Sequence, residues 1–192
     1  LRCSNTRFSV LMATINLLPN GTVSNNWAVS TGLGGSANGV MATDHTGTIA
    51  SDSEFLSAVL PNKIFELEFD DFTEDFSSID SVQAVVKTGN NGRGKTFEIG
   101  MTINNGSSGT FWSVEGSGSQ YASGTYRTQT FTSRTTSDGS SAWTNTDINN
   151  LRMKVELTAH SGGTTRSTYC YFIVTYTEPL ATDNSVFFGT NF

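Results

Sequence analysis

Histidine, cysteine, proline and basic residues are all scarce in this chain of 192 residues, and each shortage narrows what it does. The two histidines, His45 and His160, leave no pair at metal-ligand spacing. They also leave only His45 and His160 as bases for a nucleophilic triad, with His160 at a strand end beside a Gly-Gly turn, and no G-x-S-x-G elbow is present. The two cysteines, Cys3 and Cys170, are too few for a disulfide framework. They read as two free thiols, one in an arm and one inert among aromatics, with a Cys3–Cys170 bridge as the alternative. Lys and Arg number 11 against 17 Asp and Glu, for a net charge of −6 and a pI near 4.8. No basic cluster exists, so a nucleic-acid partner is not expected. No run of 18 apolar residues exists, so no membrane span is expected. The opening stretch makes a poor signal peptide, because Asn16 interrupts its apolar run.

What is abundant points to strands. Nineteen glycines against three prolines, with many Ser, Thr and Asn, is the composition of short strands joined by tight turns. Thirteen Phe supply core bulk. Period-2 alternation recurs along the chain. Phe65, Leu67 and Phe69 face away from Glu66 and Glu68. Val82, Ala84 and Val86 alternate with Gln83, Val85 and Lys87. Phe97, Ile99, Met101 and Ile103 alternate with Glu98, Thr102 and Asn104. Leu151, Met153, Val155, Leu157 and Ala159 oppose Arg152, Lys154, Glu156, Thr158 and His160.

Asn105-Gly106 is the strongest hairpin signal, and the stretches 89–94 and 161–163 also read as hairpin turns. Residues 31–50 read as a Gly-rich loop with at most short strands. Tyr126 to Thr132 is Thr-rich and reads as an edge strand. Asp138-Gly139 marks a turn, Trp143 a core plug, and Thr144 with Asp147 a capping box. The strand from Thr168 to Tyr176 is apolar on both faces: Tyr169, Tyr171 and Ile173 on one, Cys170, Phe172, Val174 and Tyr176 on the other. Such a strand lies centrally or against a neighbouring subunit.

The expected fold is all-β: an antiparallel β-sandwich, jelly-roll-like, with under ~10% helix and with extended N- and C-terminal arms. The expected division is an arm over 1–22, the sandwich over 23–178 and a tail over 179–192. In the tail, Val186, Phe187, Phe188 and Phe192 are too apolar to stand free and are the candidate partner-binding residues. Catalytic, cofactor-binding and metal-binding residues are expected to be absent. The acidic break Asp70, Asp71, Glu74, Asp75 lacks the EF-hand loop pattern and reads as a solvated turn rather than a Ca²⁺ site. Asp44 and His45 read as surface-loop residues. Glu66 and Glu68 share a strand face, but a glycosidase also needs an opposed carboxylate.

Four phrases together, MATINLLPNG from Met12, SIDSVQAVV from Ser78, DGSSAWTNTDINNLRMKVEL from Asp138 and YCYFIVTYTE from Tyr169, resemble a recurring set of tailed-bacteriophage structural proteins. The resemblance spans roughly residues 12–178. It implies a non-enzymatic virion protein with a β-sandwich domain, on the capsid surface, decorating or cementing the major capsid protein lattice, with other virion proteins or its own copies as partners. The alternative it leaves open is a tail- or fibre-associated module that binds a carbohydrate receptor. Trp112, Tyr121 and Tyr126 would be the sugar platforms in that case.

Overall fold

The computed structural model describes residues 11–30, 36–42, 54–92, 95–104, 110–114 (backbone alone) and 126–180. In chain order the elements are β1 (Met12–Leu17), β2 (Pro19–Asn25), β3 (Ala28–Val29), α1 (Ala37–Met41), β4 (Leu56–Ala58), β5 (Lys63–Phe69) and β6 (Ser78–Asn90). They continue with β7 (Phe97–Asn104), β8 (Thr110–Val114), β9 (Arg127–Thr130), α2 (Asn145–Asn149), β10 (Arg152–His160) and β11 (Thr165–Thr177).

One sheet runs β3-β4-β11-β6-β9, with β1 also paired to β11; the other runs β2-β5-β10-β7-β8. All pairings are antiparallel. From β4 onward the strands divide as β4-β11-β6-β9 and β5-β10-β7-β8. Two Greek keys in that order make a jelly roll. The expected all-β sandwich is therefore the observed fold.

The alternating residues face each other between the sheets. Phe65 and Leu67 of β5, Met153, Val155 and Leu157 of β10, and Val82, Ala84 and Val86 of β6 are all buried. So are Cys170, Phe172 and Val174 of β11. Phe69 of one sheet meets Phe172 of the other edge-on, with ring centroids 4.6 Å apart. Each such ring or branched side chain contributes roughly 1.5–3 kcal/mol by leaving water. Trp143 is buried with this cluster, and its indole N–H donates to the Arg134 carbonyl at 2.9 Å. The capping box starts α2 as expected. Thr144 Oγ1 accepts from the Asp147 N–H at 3.1 Å, and Asp147 Oδ2 accepts from the Thr144 N–H at 3.0 Å. β9 lies at a sheet edge, and β7 pairs β8 across the Asn105-Gly106 turn, which itself lies outside the described residues.

Three expectations are corrected. The turns at 89–94 and 161–163 are not hairpins. The first leads from β6 to β7 and the second from β10 to β11, and each pair of strands lies in different sheets. Turn residues specify a reversal but not the partner, and here both flanking strands bury their inner faces against opposite layers. The two corners clasp each other instead: Thr164 N–H donates to Asn91 Oδ1 at 2.8 Å, and Ser161 N–H to the Thr96 carbonyl at 3.0 Å. The approach is close enough that a Cβ on Gly163 would stand 2.4 Å from Asn90 Oδ1, and its φ of +79° favours glycine as well.

The second correction is α1, which lies in the stretch read as loop. Its composition is weak for a helix, but Ser36 caps it and Ala37, Val40 and Met41 are buried. The third concerns residues 12–22 of the expected 1–22 arm. Met12–Leu17 pairs with β11 and Pro19–Asn25 pairs with β5, so this part of the expected arm is woven into both sheets. Their register pins Ile15 opposite Val174 and Leu17 opposite Phe172.

Candidate interaction face

Each sheet has an outer face, and the two differ in chemistry. On the β2-β5-β10-β7-β8 sheet the outward residues form charged rows. Arg152 lies between Glu68 and Asn104, Lys154 between Glu66 and Thr102, and Glu156 between Ile64 and Gly100. Arg152 pairs with Glu68, and Asn104 donates to Glu66 at 2.9 Å. Cross-strand opposite charges of this kind suit a wet surface. Both carboxylates considered for glycosidase chemistry are therefore engaged by neighbours on their own sheet.

The outer face of the other sheet is nearly uncharged along its middle. Tyr171 of β11 lies opposite Val85, which lies opposite Thr130 of β9. Ile173 lies between Gln83 and Asn16, and Thr175 between Ser81 and Thr14. Charge comes only toward the ends of these rows: Lys87 opposite Tyr169 and Arg166 at one end, Asp80 at the other. The Tyr169 and Tyr171 rings lie 4.9 Å apart, Ile173 is half-buried beside them, and Val85 is fully buried although it points away from the core. A bulge at Thr168 resets the register between Ser167 and Tyr169, which puts both tyrosines on the outside. The apolar side chains of this face are half-buried, and Val85 at its centre is out of water.

At one pole of the sandwich the two ends of the β1–β11 pair meet. The Glu178 N–H donates to the Leu11 carbonyl at 3.0 Å, and Leu11 (60% exposed), Met12 (63%) and Leu180 (53%) all stand in water there. That clustering matters because large apolar groups that are mostly exposed mark contact surface when they gather. The acidic break runs toward this pole from Asp70, whose N–H donates to the Leu18 carbonyl, and ends beside Ser77, whose N–H donates to the Thr177 carbonyl. Nearby, Tyr176 has its pKa raised by burial first and then by the Glu74 and Glu178 carboxylates.

Other sequence candidates fall apart or fall outside. Cys170 is buried and free, and burial pushes its thiol well above the usual range. His160 stands at the end of β10. Among the described residues no three His, Cys, Asp or Glu side chains gather into a metal-holding set. Tyr126 is half-buried next to β9, whereas Tyr121, Asp44, His45 and Cys3, with the side chain of Trp112, lie outside the described residues. A notch of about 200 Å³ lined by Asn20, Glu68, Asp71, Asn149 and Arg152 is polar, and its one ring, Phe69, is buried. Val186, Phe187, Phe188 and Phe192 also lie outside the described residues.

The class these features define is an antiparallel jelly roll with one charged outer face and one aromatic, low-charge outer face. No family model and no curated protein matches the chain. Among solved structures it is similar to a chain of "Structure of infectious bursal disease virus Gt strain", with 11% identity and a TM-score of 0.34. That likeness covers 86% of this chain and 33% of the other, so this chain spans about a third of the protein it matches. A TM-score of this size decides nothing about topology or function.

Proposed function

We propose that this chain is a non-enzymatic structural protein of a tailed-bacteriophage virion, a decoration or cement protein that binds and stabilises the major capsid protein lattice from the capsid surface. The observation that carries the reading is the low-charge Tyr169–Tyr171–Ile173 face, which is suited to burial against protein. The jelly roll supports it by fold analogy, since this architecture recurs in viral capsid and lectin domains. The phage resemblance over residues 12–178 supports it from sequence. The tail residues Val186, Phe187, Phe188 and Phe192 are the proposed anchors to neighbouring chains, each contributing ~1.5–3 kcal/mol when buried. Many weak anchors on a lattice add through avidity.

The receptor-binding alternative needs an exposed ring beside polar groups. The polar notch has no exposed ring, and of the candidate platforms Tyr121 and the Trp112 side chain lie outside the described residues.

Cryo-EM of native phage particles from cells that make this chain tests the proposal. A regular lattice of copies on an icosahedral head is the expected result. A few copies at the tail would favour the receptor-binding module instead, and particles without the chain would overturn both.

A further inference from the structure

We infer that the free edge of β1 is a self-association surface, which pairs antiparallel with β1 of a second copy of this chain across a two-fold axis beside Thr14. The inference stands apart from the proposed function, since it concerns how copies of this chain meet one another.

Three observations carry it. The first is an open ladder. The Leu11 carbonyl accepts from the Glu178 N–H, and the register with β11 then runs unbroken from Met12 to Leu17. Bonded positions alternate along an antiparallel pair, so Ala13, Ile15 and Leu17 exchange their backbone bonds with β11. Met12, Thr14 and Asn16 therefore aim N–H and C=O away from it. Among the described residues no strand pairs on that side, and all three of these residues are exposed.

The second is an edge without a guard. Proteins blunt their sheet edges with short strands, prolines, charges and bulges. The other edges here carry such devices. β3 has two residues, and β9 has four and begins with Arg127. β2 opens on Pro19 and slips register twice against β5, and β8 slips once against β7. β1 is six residues long, MATINL, with no charge, no proline and no slip. An edge of this kind is a template for another strand.

The third is that β1 fits itself. With the axis beside Thr14, Met12 lies opposite Asn16 of the copy and Thr14 opposite Thr14. These are the residues whose backbone groups face outward, so each pair exchanges both of its bonds. Thr–Thr is a favourable cross-strand pair, and an uncharged strand opposes no like charges when it meets its own copy. On the inner side Ala13 comes opposite Ile15 of the copy, small against large, at the closer-spaced positions of the ladder. Both residues already pack on the core while half-buried, so the pairing extends that core across the axis. A two-fold contact of this form closes after two copies.

The test uses the full chain in sedimentation equilibrium, with circular dichroism to verify the fold of each variant. The parent should form dimers. Thr14→Lys and Thr14→Glu each set like charges against each other at the axis, and each alone should dimerise about five- to tenfold more weakly. An equimolar mixture of the two should recover dimers, because opposite charges then meet at that same position. A parent that stays monomeric at every concentration overturns the inference. So do variants that dimerise like the parent, which would put the contact elsewhere, or a mixture no better than either variant alone. Binding of the parent to phage particles is read separately and bears only on the proposed function.

Discussion

The two outer faces of this sandwich are built from the same kind of strand and paired by the same kind of ladder, yet they are prepared for different neighbours. On one, Arg152, Lys154 and Glu156 sit across from Glu68, Glu66 and Ile64, and the side chains find partners within their own sheet. On the other, Tyr169, Tyr171 and Ile173 run down β11 beside Lys87, Val85 and Gln83. Both inner faces contribute to one apolar core. Stability is thus set between the sheets, and identity is set on their outsides.

The largest effect should come from a change that ignores this difference. Trp143 closes the core that both sheets share, and Trp143→Ala should cost about 3–5 kcal/mol in urea denaturation. A loss under about 1 kcal/mol would mean that the ring is not a plug.

The next change separates the faces. Tyr171→Lys and Thr102→Lys place the same charge on opposite outsides of the sandwich. Both should leave the chain folded, each at a cost of about 1 kcal/mol, from the like charge of Lys154 opposite Thr102 and from the lost ring contact with Tyr169. Only the Tyr171 variant should lose binding to phage particles, by at least about tenfold. Equal losses of particle binding would erase the functional contrast.

Smaller effects belong to the frame. Thr144→Ala removes the acceptor for the Asp147 N–H and should cost about 1 kcal/mol. On the charged face, the Arg152 and Glu68 side chains are 27% and 47% exposed, so a double-mutant cycle should give under about 1 kcal/mol, shrinking as salt rises.

The smallest effect is local. Hydrogen bonds from the Ser141 and Ser140 backbone, and then from their hydroxyls, hold the Asp138 carboxyl well below its ordinary value of 3.8. A carboxylate depressed in the folded state adds stability above that ordinary value and loses it as pH falls toward the folded one. The protection of the Ser140 and Ser141 amides, taken relative to the intrinsic exchange rate at each pH, should therefore fall below pH 4, with little change in protection elsewhere.

Much of this frame can be read from residues alone. Alternation at Phe65–Phe69, Phe97–Ile103 and Leu151–Leu157 is strict because one side of each strand is core and the other is water. Thr144 and Asp147 are legible because a cap is a local bargain between residues three apart. Partner choice is not local. Nothing in Gly92 or in Ser161-Gly162-Gly163 says that the next strand joins the other sheet, since that is decided by which layer can bury the incoming face. α1 was hidden because its helix exists through the burial of Val40 and Met41, not through propensity. The aromatic face was half visible: β11 reads as apolar on both sides, but only the register brings Val85, Lys87 and Gln83 alongside it.

The side-by-side exit of the β1–β11 pair has a mechanical consequence. Because Leu11 and Glu178 are hydrogen-bonded neighbours, a pull applied through the two flanking segments acts at one end of an antiparallel ladder. It opens the pairs in succession, Met12 from Thr177 first and Leu17 from Phe172 last, like a zip. A pull between residue 180 and the opposite pole would instead shear all of those pairs at once and meet far greater resistance. A subunit tethered by one flanking segment and seated by its body is therefore loaded in its strong direction, and one tethered by both in its weak direction.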